Sequence, residues 1–315
     1  MKKVRVLLAA TAALIIAATA HAQEFVTVLT GGTSGVYYPM GVALSQVYGK
    51  AMPGAKTSAQ VTKASAENLN LLQAGRGEIA FTLGDALNEA WKGNEEAGFK
   101  TPLKKLRTIA AIYPNYIQIV ANADSGIKTL ADLKGKRIAV GAPKSGTELN
   151  ARDIFRGAGM SYKDFSKVEY LPFGESVELM KNRQLDATLI SAGLGVAAIR
   201  DLATSVKIVI VPVPADVVAK IGEAAYQPGT VPANTYNGQT EATPTVAIQN
   251  FLVSHEGVSA DAGYKMTKAI FDNLPELHAA HAAAKAITKE NAAKAPPAPL
   301  HAGAEKYYRE VGLIK

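Results

Sequence analysis

Short apolar and β-branched runs alternate along this chain with stretches in which apolar residues recur at helical spacing. Phe25–Leu29 is the first such run, and Val36, Met40, Leu44 and Val47 follow it at intervals typical of a helix. This alternation predicts α/β layering. Further strands are expected at 58–62, 79–83, 117–121, 137–140, 168–171, 187–190, 207–211 and 245–253, and the apolar run at 106–112 is expected to break at 113–116. Helices are expected between Ser65 and Gly75 and at 85–91, 175–182, 195–202, 214–225, 260–274, 279–289 and 303–311.

The turn between the first strand and the first helix is rich in glycine and hydroxyl groups. Gly32, Thr33, Ser34 and Gly35 lie in it, and Pro39 falls in the first turn of the helix, where a missing N–H is tolerated. Amide groups exposed at the positive end of a helix dipole favour an anion. The hydroxyls either cap the helix or hold a ligand. The turn matches neither the P-loop nor the G-x-G-x-x-G pattern.

Similar turns follow three other predicted strands. One contains Lys63 and Ser65, the expected N-cap of the next helix. A second has the capping-box spacing Ser145 to Glu148, and the third is the small-residue turn 191–194. The carboxyl ends of strands are where α/β sheets bind ligands. We therefore expect these turns, with two neighbouring tyrosines, to face each other across a cleft. The candidate ligand-binding residues are Gly32, Thr33, Ser34, Gly35, Tyr37, Lys63, Ser65, Tyr113, Lys144, Ser145, Gly146, Thr147, Asn150, Ala192 and Gly193.

The first 22 residues have the pattern of a secretory signal peptide. Lys2, Lys3 and Arg5 precede an apolar stretch, and Ala20-His21-Ala22 fits a cleavage site, so we expect a periplasmic protein that begins at Gln23. Removing this segment lowers the net charge from +7 to +4, and no basic block suggests nucleic acid. The absence of cysteine excludes disulfides and thiolate chemistry.

Catalytic motifs are missing. The sequence has no G-x-S-x-G and no H-E-x-x-H, and Ser125 and Lys128 match S-x-x-K without the partner motifs of β-lactamases. His278 and His281 are spaced for a helical metal pair, but nothing near them supplies further ligands, so a surface pair is favoured. We expect no enzyme activity, no cofactor and no metal.

Five segments resemble a known family. They are Thr30-Gly31-Gly32-Thr33 with Tyr37-Tyr38-Pro39, Ala64-Ser65-x-Glu67-Asn68, Ala123 to Ile127, Asp132 to Lys136, and Ser145 to Asn150. In this order they resemble the TAXI solute-binding proteins, the TRAP-associated extracytoplasmic immunogenic proteins, over about residues 25 to 313. The resemblance implies a type II periplasmic-binding-protein fold that closes on a small anionic solute. It further implies delivery to a TRAP-type permease, with glutamate-like amino acids or C4–C5 dicarboxylates as the first ligands to consider.

The predicted organisation is two domains, 24–116 with 250–315 and 117–249. Strands at 117–121 and 245–253 would cross between them, and 227–244 is a long loop. We expect a monomer. Two other functions stay open, a sensory protein with the same ligand-binding fold and a periplasmic hydrolase.

Overall fold

The computed structural model describes residues 23–294 and 296–315, so the predicted signal peptide lies outside the described residues. Within them, ten strands form a mixed sheet in the order β2-β1-β3-β10-β4-β7-β5-β6, with β8 beside β4 and β9 beside β10. The strands are β1 Phe25–Leu29, β2 Lys56–Gln60, β3 Ile79–Leu83, β4 Leu106–Asn122, β5 Arg137–Ala139, β6 Lys167–Glu169, β7 Ala187–Ala192, β8 Ile208–Val211, β9 Tyr226–Val231 and β10 Thr243–His255.

Helices cover the sheet on both faces. Val26 and Val28 of β1 pack into one core and Leu29 into the other, because successive side chains of a strand point to opposite faces. The helices are α1 Tyr37–Ala51, α2 Ser65–Gln73, α3 Gly84–Lys92, α4 Gly146–Gly157, α5 Phe173–Lys181, α6 Ala197–Ser205, α7 Ala215–Ile221, α8 Ala260–Asp272, α9 Leu274–Ala280, α10 Lys289–Ala292 and α11 Ala302–Glu310. Short 3-10 turns lie at Ala123–Ser125, Ala131–Leu133, Tyr162–Asp164 and Ala282–Ala286.

Two long strands run through both halves of the sheet. β10 pairs with β9 over Thr243–Ile248 and with β3 over Asn250–Val253. β4 pairs with β10 along its first part and with β7 and β8 from Tyr116 onward. The first half of the molecule therefore contains β1 to β3, the second contains β5 to β9, and β4 and β10 join them.

The structure corrects two predictions about these strands. The expected break at 113–116 is wrong: β4 continues through Pro114, which lies opposite Gln249 beside an irregularity in the register of β10. A proline is tolerated in a strand where the ladder is interrupted. The loop expected at 227–244 is also wrong in its first part, since β9 pairs there with β10.

The C-terminal tail is more broken than predicted. The helix expected at 279–289 is replaced by the end of α9, the Ala282–Ala286 turn and the start of α10. α8 and α11 are regular and pack on each other, with Phe271 stacked on Tyr307 at 5.8 Å between ring centroids. Among the described residues no helix is long and apolar enough to cross a membrane.

Candidate ligand-binding cleft

A cavity of about 950 Å³ lies between the two halves of the molecule. Most of the residues predicted from the sequence line it. From the first half these are Gly32, Thr33, Ser34, Gly35, Tyr37, Lys63 and Ser65, and from the second half Ser145, Gly146, Thr147 and Ala192. The structure thus brings together turns that are more than a hundred residues apart in the chain.

Four helices begin at this cavity. α1 starts at Tyr37 and α2 at Ser65 in the first half, and α4 starts at Gly146 and α5 at Phe173 in the second. Ser145 caps α4 by accepting a hydrogen bond of 3.1 Å from the Glu148 amide, as its spacing predicted. The four helix N-termini bring the positive ends of their dipoles to the cavity, independently of side-chain charge.

The two halves are joined by backbone hydrogen bonds at two places near the cavity. The Glu67 amide donates to the Lys144 carbonyl at 3.2 Å, and the Ala198 amide donates to the Ser34 carbonyl at 3.2 Å. A Cβ added at Gly146 would lie 2.6 Å from Ser65 Oγ, so only glycine permits this approach. The structure therefore shows the two halves in contact beside the cleft that lies between them.

The floor of the cleft is a buried network on the joining strands. Asn250 Nδ2 donates to Asn115 Oδ1 at 2.7 Å and to the Tyr113 carbonyl at 2.8 Å, while the Tyr37 hydroxyl donates to Asn250 Oδ1. Tyr37 also stacks on Phe81 at 4.9 Å, and burial raises its pKa well above the usual range. The network ties the glycine-rich turn to β4 and β10.

One wall of the cleft was missed by the sequence analysis. It is formed by Leu171, Phe173 and Leu179 of the second half and by Val61 of the first. The available signal was the segment that follows β6, another turn at a strand end. Asn115 also lines the cleft and was not predicted to do so. Ser191 lines it as part of the small-residue turn expected there, and its buried hydroxyl finds no partner in the described part of the chain.

The charges of the lining are mixed. Lys63 is its cation, and its own amide is bound by the Glu67 side chain at 2.5 Å. Glu67 itself and Glu175 and Glu178 of α5 also line the cavity, so its acidic side chains outnumber its basic one. Glu178 pairs with Lys181 at 2.9 Å. Attraction of an anion to the turns therefore depends on backbone amides and helix dipoles and not on side-chain charge.

Four predicted residues do not line the cleft. Tyr113 is fully buried behind it, and Gly193 packs so tightly that an added Cβ would lie 2.8 Å from Ala283 Cβ. Lys144 is exposed outside the cavity and contributes its carbonyl to the contact between the halves. Asn150 is buried and donates to Asp85 at 2.6 Å.

Ser65 lines the cleft without acting as the predicted N-cap. α2 begins at Ser65 itself, Ala64 precedes it with a φ of 69°, and Ser65 Oγ accepts a 3.2 Å hydrogen bond from the Leu83 amide. The hydroxyl thus links α2 to the end of β3 and does not accept a hydrogen bond from an amide of its own helix.

A second polar cluster joins the halves behind the cleft. The Tyr226 hydroxyl lies 2.8 Å from Asp85 Oδ2 and 2.7 Å from Asp153 Oδ2, although it has one hydrogen to donate. Burial raises the pKa of Asp85 to about 7, and its repulsion by Asp153 and Glu223 acts in the same direction. Asp85 is 3% exposed, whereas Asp153 pairs with Arg156 at 2.7 Å. Burial raises the pKa of Asp153 as well, but Arg156 favours its charged form, so we assign the proton shared by the two carboxyls to Asp85.

No group of three metal-binding side chains occurs in residues 23–294 and 296–315. His281 Nδ1 accepts from the Ala283 amide at 3.1 Å and so shapes the local turn.

Comparison with known proteins agrees with the fold. A putative L-cystine ABC transporter protein from Listeria monocytogenes matches at a TM-score of 0.52 with 16% identity, covering 84% of this chain and 98% of its own. The alkanesulfonate-binding protein SsuA from Xanthomonas axonopodis pv. citri, bound to MOPS, matches at a TM-score of 0.52 with 16% identity, covering 93% of this chain and 95% of its own. The binding protein component of an ABC phosphonate transporter from Pseudomonas aeruginosa matches at a TM-score of 0.52 with 13% identity, covering 83% of this chain and 79% of its own.

These similarities establish the two-domain periplasmic-binding-protein-like fold that the sequence predicted. The sequence profile of the NMT1-like family matches residues 28–312, nearly the whole described chain. The protein is therefore a member of the NMT1-like family.

Proposed function

We propose that this protein is an exported solute-binding protein that captures an organic acid in the cleft between its halves. The observation that carries the proposal is the convergence of four helix N-termini on one cleft. Such a cavity is a natural site for an anion, because amide groups and dipoles both point toward it.

The chemistry of the lining supports capture of a carboxylate. The Gly146 and Thr147 amides open α4, and the Thr33, Ser34 and Thr147 hydroxyls lie around the same space. A hydrogen bond to a charged group contributes about 1.5–3 kcal/mol. A few of these bonds are enough for a carboxylate to be bound without an arginine.

The joined halves support capture by domain closure. We place the domains at 24–116 with 250–315 and at 117–249, with β4 and β10 as the connections. A ligand that contacts both domains favours the closed arrangement, and a membrane partner can then distinguish loaded from empty protein.

The finer assignment rests on the resemblance of the sequence to TAXI proteins. It leads us to propose a periplasmic monomer that delivers its solute to a TRAP-type permease. That resemblance suggests glutamate-like amino acids and C4–C5 dicarboxylates, which therefore form one set of acids in the ligand screen. A binding role is favoured over a hydrolase because the described residues that line the cleft include hydroxyls but no histidine to activate them.

A thermal-shift screen over organic acids, neutral sugars and amines tests the function. A ligand at 100 times its Kd adds about 2.7 kcal/mol to stability, which gives a clear shift in melting temperature. We expect acids to be the stabilising class. Stabilisation by sugars or amines alone would contradict the proposal.

A further inference from the structure

The cleft offers two chemically different surfaces to a ligand. We propose that the solute is a monocarboxylic acid with a bulky apolar group, whose carboxylate meets the helix N-termini and whose apolar part covers the wall formed by Val61, Leu171, Phe173 and Leu179. This inference rests on the proposed function and specifies its substrate class.

The apolar wall is exposed to the cavity in a way that a core would not be. Val61 is 50% exposed, and Leu171, Phe173 and Leu179 are only partly buried. The Phe173 ring also lies across the glycine-rich turn, since a Cβ added at Gly35 would be 3.8 Å from it. An apolar group seated here would remove the surfaces of both halves from water.

The size of the cavity favours a ligand larger than a C4–C5 acid. Pockets of ~300–1,000 Å³ accommodate drug-sized ligands, and this one is about 950 Å³ although the halves are in contact. Further closure is limited by the approach of Gly146 to Ser65. A C4–C5 acid bound at the helix N-termini would leave the apolar wall uncovered.

The charges near the wall disfavour a second carboxylate. Glu175 and Glu178 lie on α5 beside Phe173 and Leu179, whereas Lys63 is the cation of the described lining. Glu178 is paired with Lys181, so the repulsion comes mainly from Glu175. A dicarboxylate spanning the cleft would bring its far charge toward these glutamates, and like charges repel. A ligand with one charge and an apolar end avoids this repulsion.

Calorimetric titration with matched probes tests the inference. The probes are 4-phenylbutyrate and phenylacetate, succinate and glutamate, and 2-phenylethanol, which keeps the ring but has no charge. We expect a phenyl-substituted acid to bind at least about tenfold more tightly than succinate or glutamate. Burying a phenyl ring against the apolar wall should strengthen binding by at least that factor. We expect 2-phenylethanol to bind far more weakly than either phenyl acid.

Variants locate the effect. Phe173→Ala should weaken binding of the phenyl acid about tenfold. Val61→Ser should also weaken binding of the phenyl acid. Val61 is exposed, so we expect the substitution to leave the fold intact. Tyr170→Ala is the control, because Tyr170 is 43% exposed and is not part of the cleft lining.

The outcomes separate the two levels of the proposal. Tight binding of succinate or glutamate with weak binding of the phenyl acids would overturn the inference and leave acid capture intact. Unchanged phenyl-acid affinity in both Phe173→Ala and Val61→Ser would also overturn it. Failure of every acid, with a neutral or cationic solute bound in the cleft, would overturn the proposed function as well.

Discussion

Replacing Asp85 by asparagine is expected to remove a large part of the pH dependence of stability between about pH 4 and pH 7. Asp85 lies in α3 of the first half and contacts Asn150 and Tyr226 of the second. Asparagine has the shape of the protonated acid and carries no charge. The variant therefore keeps the packing while it removes the ionisation.

The magnitude follows from the raised pKa. Below about pH 4 the carboxyl is protonated in both the folded and the unfolded chain, and its burial carries no penalty for charge. As the pH rises, the unfolded carboxyl ionises first, whereas the folded pKa is about 7 instead of 3.8. Stability from this group is therefore present at low pH and lost as the pH rises to 7. At 1.4 kcal/mol for each pKa unit, the loss is up to about 4 kcal/mol.

Urea unfolding at fixed ionic strength from pH 4.5 to pH 8 measures the effect. Between pH 4.5 and pH 8 the free energy of unfolding should fall by more in the wild-type protein than in the Asp85→Asn variant. Asp153→Asn is the comparator, because Asp153 contacts the same Tyr226 hydroxyl and also pairs with Arg156. If Asp85→Asn kept the wild-type slope and Asp153→Asn flattened it, the assignment of the shared proton to Asp85 would be wrong.

Three further substitutions test the cleft itself. Gly146→Ala should weaken ligand binding and enlarge the radius of gyration in scattering, because its methyl group would lie 2.6 Å from Ser65 Oγ; an unchanged affinity would count against the closed contact. Thr147→Val should weaken binding of the screened acid by about 0.5–3 kcal/mol in calorimetry. Thr188→Val is its control, since the buried Thr188 hydroxyl has no partner among the described residues and should not affect affinity. Asn250→Ala should lower the free energy of unfolding in urea by about 1–3 kcal/mol, because it leaves buried groups unpaired; a value near zero would refute the floor network.

The alternation of strands and helices could be predicted from the sequence because each element carries its own apolar pattern. The capped start of α4 was equally visible, since Ser145 and Glu148 have capping-box spacing and the cap is local. Elements that depend on a distant partner were missed. β9 is rich in residues typical of turns, and it is a strand because β10 pairs with it.

Tertiary contacts also decided which candidate residues reach the cleft. Lys144 and Asn150 lie in the same turn and helix as Ser145, but the turn of the helix directs Asn150 toward Asp85. Phe173 was overlooked because no polar motif marks it. Its place in the cleft follows only when the second half approaches the Gly35 turn.

Hydrogen exchange with and without a saturating acid from the thermal-shift screen tests most directly whether the ligand lies between the halves. We expect slower exchange in peptides from both halves at once, covering 31–37 in the first and 144–149 and 171–176 in the second. Slowing confined to one half, or to the α8 and α11 surface, would contradict binding in the cleft.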